Sequence, residues 1–133
     1  ENTLLGIDIV RHGELVASDV SEQQILDVIG HDPAKLIITV IGGQGHVFGR
    51  GNQQLSPAVI RRVGRDNIII VATNEKLRSL QGRPMIADTG EADLDRQLAG
   101  LYQVVTGYQQ HVLYRLNIHP GDISGDQASN EET

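Results

Sequence analysis

The chain contains no cysteine and no tryptophan, and it has only one methionine, one phenylalanine and three tyrosines among its 133 residues. Without cysteine it has neither a disulfide framework nor a thiolate metal site. No apolar run approaches the ~20 residues that a membrane-spanning helix needs, and the N-terminus lacks the basic-then-apolar layout of a secretory signal. We therefore expect a cytoplasmic globular protein that does not associate with membranes.

The same scarcity of aromatic residues argues against nucleic acid as a partner, because bases stack on aromatic side chains. The net charge is −6, yet residues 43–83 carry seven lysines and arginines against two acidic residues. A local basic segment in an acidic chain favours a small anionic ligand over a nucleic-acid track. The alternative is that these cations lie on solvated helix faces, and the sequence leaves both interpretations open.

The length fits one domain with one core, which we place at residues 1–118. From residue 119 onward the periodicity is lost, and Pro120, glycines and four acidic residues predict a disordered acidic tail over 119–133. The chain begins with Glu1, and its only methionine is Met85. We expect it to be a processed product or a piece of a longer protein.

Short strands and short helices alternate along the chain. Turn and capping residues predict a hairpin of residues 4–10 and 14–20, a helix that begins after Ser21 with Gln24 as capping-box partner, and a closing hairpin of 104–105 and 111–118 around Thr106-Gly107. Asn74 is predicted to cap a short helix, a brief strand is predicted over 85–88, and a further helix over 91–98.

A strand, a loop, a helix and a second strand are predicted over residues 36–72. The apolar, β-branched run at 36–41 is typical of a strand covered on both faces, and residues 67–72 form a second such run. Ser56 and Pro57 predict a helix start. The fold class is therefore mixed α and β (α+β or α/β): a mixed sheet with N- and C-terminal hairpins, a central βαβ unit and three to four short helices.

A glycine-rich segment from Gly42 to Gln54 is the strongest chemical signal, because five of the fifteen glycines fall within positions 42–51. Glycines after a buried strand let backbone N–H groups approach an anion, and the following helix adds its positive dipole end. The predicted binding residues are Gly42, Gly43, Gln44, Gly45, His46, Arg50, Asn52 and Gln53. Arg50 suits a phosphate and His46 suits proton transfer or donation. The alternative is a long loop that needs glycines only to fold.

Asp88-Thr89-Gly90 follows a predicted strand and precedes a helix, where a catalytic or metal-binding carboxylate is often presented. Asp88 is the candidate, and the alternative is that Asp88 or Thr89 only caps the helix. Asp93 and Asp95 are two apart on one helix, so they face different directions and form no paired site. The five histidines show no metal-ligand spacing, and we predict no metal site.

Several segments together resemble a known family. Residues 41–57 (IGGQGHVFGRGNQQLSP), Val63 to Asn67, Asp88-Thr89-Gly90 and Val105 to Tyr108 resemble the C-terminal region of bacterial and archaeal ATP-NAD kinase-like proteins. The resemblance covers about residues 1–117. It implies a fold of the NAD kinase and diacylglycerol kinase superfamily, in which an N-terminal α/β lobe and a β-rich C-terminal lobe enclose the nucleotide.

The resemblance further implies a phosphotransferase that uses ATP or polyphosphate, with Mg²⁺, to phosphorylate NAD to NADP or a related small molecule. The partners would be a small-molecule nucleotide, the missing N-terminal lobe and further copies in a homo-oligomer. The superfamily's GGDGT signature is absent, because Gln44 and His46 stand for its aspartate and threonine, so its catalytic role is not transferred here. The C-terminal lobe alone is expected to be inactive.

Two other functions remain open. One is a ligand-sensing or assembly module without chemistry, in which the basic middle binds a phosphorylated metabolite and the hairpins mediate homo-oligomer contacts. The other is a sugar-phosphate isomerase or deaminase with His46 as acid/base group, which would be active without a second lobe.

Overall fold

The computed structural model describes residues 6–40, 45–49 and 54–118, and these form four α-helices and eight strands. The helices are α1 (Glu22–His31), α2 (Pro57–Val63), α3 (Asn74–Ser79) and α4 (Ala92–Leu98), with a short 3₁₀ turn at Arg65–Asn67. The strands are β1 (Ile9–Arg11), β2 (Glu14–Ala17), β3 (Leu36–Thr39), β4 (His46–Phe48), β5 (Ile68–Val71), β6 (Met85–Ala87), β7 (Gly100–Gly107) and β8 (Gln110–Ile118).

Six of the strands form one mixed sheet in the order β3-β5-β7-β8-β6-β4, and β1 and β2 form a separate antiparallel hairpin. Strands β3, β5 and β7 are parallel to one another, β8, β6 and β4 are parallel to one another, and the antiparallel pair β7–β8 joins the two groups. The sheet therefore has two halves that run in opposite directions.

The two outermost strands are held near each other by the chain itself. Val40 follows β3 and Gly45 precedes β4, so their Cα atoms are separated by at most about 19 Å of extended chain. In a flat six-stranded sheet the outer strands lie about 24 Å apart, at about 4.8 Å per strand pair. The sheet is therefore curled rather than flat, and its two edges lie nearer to each other than they would in a flat sheet.

One face of the sheet packs on the core and the other is open. Ile38, Ile70, Tyr102, Val104 and Leu116 alternate along their strands and belong to a single cluster that also holds the buried faces of α2 and α4. On the opposite face several positions are exposed, including Ile37 (68%), Leu101 (57%) and Leu113 (65%), and others are half-buried. The helices thus cover one side of the sheet only.

Several sequence predictions are confirmed. The structure is of the mixed α and β class, with a mixed sheet and both hairpins. Ser21 and Gln24 form the predicted capping box, and Ser56 caps α2 with Pro57 in its first turn. Strands β3 and β5 form the predicted parallel pair around α2. Local capping and turn signals act within a few residues, which is why they are readable from sequence.

Three local predictions were wrong. Strand β3 lies at an edge of the sheet with one face open, so it is not covered on both faces. Thr73 rather than Asn74 caps α3, because the Thr73 hydroxyl accepts the Lys76 N–H at 3.1 Å. The closing hairpin turns at Tyr108-Gln109, not Thr106-Gly107, and its first strand already begins at Gly100. The tail predicted at 119–133 lies outside the described residues.

Tyr102 provides a test of the core at alkaline pH. Burial raises the pKa of the Tyr102 phenol, the nearby Arg65 partly opposes this, and the hydroxyl donates to the Leu98 carbonyl. A phenol that ionises more easily in the unfolded chain contributes stability that is complete below pH ~10 and is lost as the pH rises further. We expect urea midpoints to fall above pH ~10, and Tyr102→Phe to flatten this fall at a cost of about 1 kcal/mol at pH 7. An equally steep fall in the variant would contradict it.

Candidate functional site

Strand β4 divides the glycine-rich segment into two parts. His46, Val47 and Phe48 are extended and pair in parallel with β6, so the segment from Gly42 to Gln54 is not one continuous loop as predicted. Gly45 and Gly49 stand at opposite ends of this strand, about 13 Å apart at 3.3 Å per residue. The chain therefore enters β4 at one end and leaves it at the other, about 13 Å away.

The end of β4 lies beside the end of β6. The Ile86 N–H donates to the Gly45 carbonyl at 2.9 Å, and the Asp88 N–H donates to the Phe48 carbonyl at 2.9 Å. Asp88 is half-buried and follows β6 directly, as Gly49 follows β4. The structure thus places Asp88 next to the C-terminal end of β4. His46 lies instead beside Ile86, near the other end of the pair.

The turn after Asp88 is built on Thr89 and on Asp95, which the sequence analysis considered only as a member of a pair with Asp93. The Thr89 hydroxyl accepts the Glu91 N–H at 3.2 Å. Glu91 is the N-cap residue of α4 and no side-chain hydrogen bond caps this helix, so the alternative that Asp88 or Thr89 caps it was wrong. Asp95 is fully buried and accepts from both the Thr89 N–H and the Thr89 hydroxyl. Asp93 is exposed, as expected for positions two apart on a helix. The sequence shows that Asp95 is two positions from Asp93 on the helix, but it does not indicate that Asp95 is buried.

Gln54 anchors the chain between the glycine-rich segment and α2. Its side-chain amide donates to the Asp19 carboxylate at 2.9 Å and to the Val20 carbonyl at 2.9 Å. Val20 is part of the core. The end of the predicted binding segment is therefore hydrogen-bonded to the residues that connect β2 to α1. The two contacts span 35 and 34 positions of the sequence.

The basic middle of the chain is used in part for internal contacts. Arg61 pairs with Glu91 at 2.8 Å, and this hydrogen bond raises the pKa of its guanidinium. Arg65 lies 4.5 Å from the centre of the Tyr102 ring and donates to the Leu101 carbonyl, and the Arg83 Nε donates to the Leu80 carbonyl. For these three arginines, the contacts within the protein argue against a shared anion site.

Comparison with known families covers nearly the whole described chain. The model of the ATP-NAD kinase C-terminal domain matches residues 1–116. The chain belongs to this family. No significant match is found among curated proteins or among solved structures. The family match confirms the resemblance seen in the sequence and agrees with a strand-rich mixed fold.

In this ATP-NAD kinase C-terminal domain, the predicted binding residues stand as follows. Gly45 directly precedes β4, His46 is its first residue, and the candidate carboxylate Asp88 directly follows β6. The others lie outside the described residues and remain predictions: Gly42, Gly43, Gln44, Arg50, Asn52 and Gln53. Gly45 adopts φ +84°, and a side chain there would approach Leu80 and Pro84, so this glycine is required by the fold whatever its role in binding.

The Mg²⁺ implied by the family was tested against the side chains present. The described ranges contain no group of three or more histidine or acidic residues that could hold a metal. Mg²⁺ is commonly held by one or two carboxylates together with substrate phosphates and water. The carboxylate of Asp95 is engaged by Thr89 inside the protein. Asp95 is therefore not available to Mg²⁺, and Asp88 is the described carboxylate at the end of β6 that could contribute to such a site.

A shallow cleft of about 250 Å³ lies away from this site, where Lys35 and Arg62 line a gap between α1 and α2. Both helices end there, so the negative ends of their dipoles disfavour an anion. Its volume is below the usual range for small-molecule sites. The cleft therefore does not compete with the end of β4 and β6 as the candidate site. None of the described helices is long and apolar enough to cross a membrane.

Proposed function

We propose that this domain is the nucleotide- and substrate-binding lobe of an enzyme that transfers a phosphoryl group from ATP or polyphosphate to NAD or a related small molecule. The family match supports this proposal. The observation that carries it is the hydrogen bond from the Asp88 N–H to the Phe48 carbonyl, which holds the Asp88 backbone beside a residue that is two positions before Arg50 in sequence. A carboxylate and a guanidinium are the groups that bind a ribose hydroxyl and a phosphate.

Each group has a separate role in this proposal. The Asp88 carboxylate accepts a hydrogen bond from a hydroxyl group of the ligand. Arg50 neutralises phosphate charge, and Asn52 and Gln53 orient the substrate. Phosphoryl transfer depends on positioning and charge neutralisation, so residues from a second lobe are needed to complete the site. We accordingly expect the 133-residue chain alone to bind nucleotide without forming NADP.

Calorimetric titration with NAD, NADP, ATP and a sugar phosphate tests the proposal. We expect NAD or NADP to bind, and Arg50→Ala to weaken binding about tenfold or more because a charge-assisted hydrogen bond is lost. Arg78→Ala is the matched control, since Arg78 is an exposed arginine on α3. Equal loss in both variants, or NADP formation by this chain alone, would contradict the proposal. Binding of the sugar phosphate alone would favour the isomerase alternative.

A specific observation also supports homo-oligomer formation. The chain could assemble in this way either as an assembly module or as part of the kinase. Exposed apolar side chains are concentrated on the two hairpins: Val10, Leu15 and Val16 on the first, and Leu101, Tyr108, Val112 and Leu113 on the second. Exposed apolar patches of this kind are typical of interaction surfaces.

Light scattering measures this directly. We expect the wild-type chain to have at least twice the monomer mass and Leu113→Lys to shift it toward monomer, because the ammonium group would have to be desolvated in the interface. Gln97→Lys, on the exposed side of α4, adds the same charge elsewhere and should leave the mass unchanged. A monomeric wild type at the concentrations used for the titrations would rule out this role for the hairpins.

A further inference from the structure

Asp95 is a buried carboxylate in the first turns of α4. Its relative exposure is 0%, and Thr89 is also buried. Aspartate is almost never fully buried unless its charge is compensated by hydrogen bonds or a partner. A helix of this length could carry leucine or alanine at the same position without that requirement. The burial of a charge here therefore calls for a reason beyond packing.

Asp95 Oδ1 makes two contacts with one neighbouring residue, Thr89. The Thr89 N–H donates to Asp95 Oδ1 at 2.9 Å, and the Thr89 hydroxyl lies 2.6 Å from the same oxygen. The hydroxyl oxygen is also 3.3 Å from the Glu91 carbonyl, but it has a single proton. The shorter contact to the charged carboxylate takes that proton, which leaves the hydroxyl oxygen to accept the Glu91 N–H.

These contacts constrain the residue before Thr89. The Asp88 N–H is held by the Phe48 carbonyl, and the next N–H along the chain, that of Thr89, is held by Asp95. The two peptide groups that flank the Asp88 Cα are therefore both fixed, one by β4 and one by α4. With both peptide planes fixed, the φ and ψ angles of Asp88 are set, and so is the direction of its Cα–Cβ bond.

We propose that Asp95 is a positioning residue that acts through Thr89 to hold Asp88 in the orientation in which its carboxylate accepts a hydroxyl of the ligand. The inference rests on the proposed function for its ligand, but the clamp on the Asp88 backbone can be measured without one. Asp95 itself is buried and does not touch the ligand. The hydroxyl-bearing part of a nucleotide, its ribose, is the chemistry that Asp88 would recognise.

Four variants of the 133-residue chain separate positioning from simple stability. Asp95→Ala removes the acceptor, and Asp95→Asn keeps an oxygen at that place. Thr89→Val removes the hydroxyl at similar volume, and Thr89→Ser retains it. The affinity of each is measured for NAD and for an analogue that lacks the ribose hydroxyls, after circular dichroism has shown a folded chain. Amide hydrogen exchange is measured at Asp88 and Thr89 without ligand.

We expect wild type, Asp95→Asn and Thr89→Ser to prefer NAD over the analogue by about tenfold, the usual effect of one hydrogen bond to a charged group. Asp95→Ala and Thr89→Val should lose this preference while still binding the analogue as wild type does. Asp95→Ala should also lose exchange protection at Thr89, because the Thr89 N–H loses its acceptor, with β7 and β8 still protected.

The outcomes distinguish this inference from the proposed function. A folded Asp95→Ala that keeps both the preference and the protection would overturn the positioning role. An equal loss of affinity for NAD and for the analogue would also overturn it, because it indicates a general structural effect. If the wild-type chain bound neither ligand, the proposed function would fail, while the exchange data would still decide whether Asp95 holds Asp88. Thr89→Val carries the test if Asp95→Ala does not fold.

Discussion

Replacing Phe48 by alanine is expected to lower the free energy of unfolding by about 3–5 kcal/mol, the largest effect of any single substitution that we predict. Phe48 is the only phenylalanine in the chain and is 1% exposed, although it lies on the three-residue edge strand β4. The loss has two parts: the apolar surface that is no longer buried, and the cavity that the short strand leaves behind.

Urea unfolding followed by circular dichroism measures this effect. Phe48→Leu is expected to lose less than Phe48→Ala because it fills most of the volume. Ile37→Ala is the matched control, since Ile37 also lies on an edge strand but is largely exposed, and its change should be within about 0.5 kcal/mol. If Phe48→Ala and Ile37→Ala had similar midpoints, β4 would not be part of the core. The strand that divides the glycine-rich segment would then be in doubt.

Replacing Gly45 by alanine is expected to lower the free energy of unfolding by about 2 kcal/mol. Gly45 adopts φ +84°, a conformation that costs other residues about 1–2 kcal/mol. In addition, a Cβ atom there would lie 3.1 Å from Leu80 Cδ2 and 3.3 Å from the Pro84 carbonyl oxygen. Leu80 is fully buried, so it has little room to move.

Gly49, at the other end of β4, is the control. A Cβ atom at Gly49 would meet nothing within 4 Å, and replacing a glycine without strain leaves stability unchanged or raises it by up to about 1 kcal/mol. Equal stability of the two alanine variants in thermal unfolding would contradict the expected difference. The pair also separates structure from binding: reduced nucleotide affinity in Gly49→Ala, with stability intact, would reflect the ligand rather than the fold.

The successes and failures of the sequence predictions have identifiable physical causes. Ser21 with Gln24 and Ser56 with Pro57 were readable because a cap depends on residues three or four positions apart. Thr73 was passed over for its neighbour Asn74, since both are good caps and the choice depends on where α3 meets the sheet. The turn at Tyr108-Gln109 was not predicted because it contains no glycine. Gln109 adopts φ +54°, a conformation for which glycine would have been the expected residue.

The candidate site was predictable only in part. Asp88 was identified from its place between a strand and a helix, and the structure puts it there. His46 to Phe48 looked like part of a glycine-rich loop, because three residues are too few to show a period of two. Whether they form a strand depends on β6, which lies almost forty residues later in the chain. Asp95 had the pattern of a surface helix residue, and only the position of Thr89 shows why it is buried.

Local chemistry was thus enough to predict a mixed α and β fold and the caps of α1 and α2, while the resemblance of several segments indicated the ATP-NAD kinase C-terminal domain family. The sheet order, the split of the glycine-rich segment and the open sheet face required the tertiary structure. So did the buried contact between Asp95 and Thr89. Caps and turns are formed by neighbours in sequence, whereas strand pairing and burial depend on residues that are distant in sequence and meet only when the chain has folded.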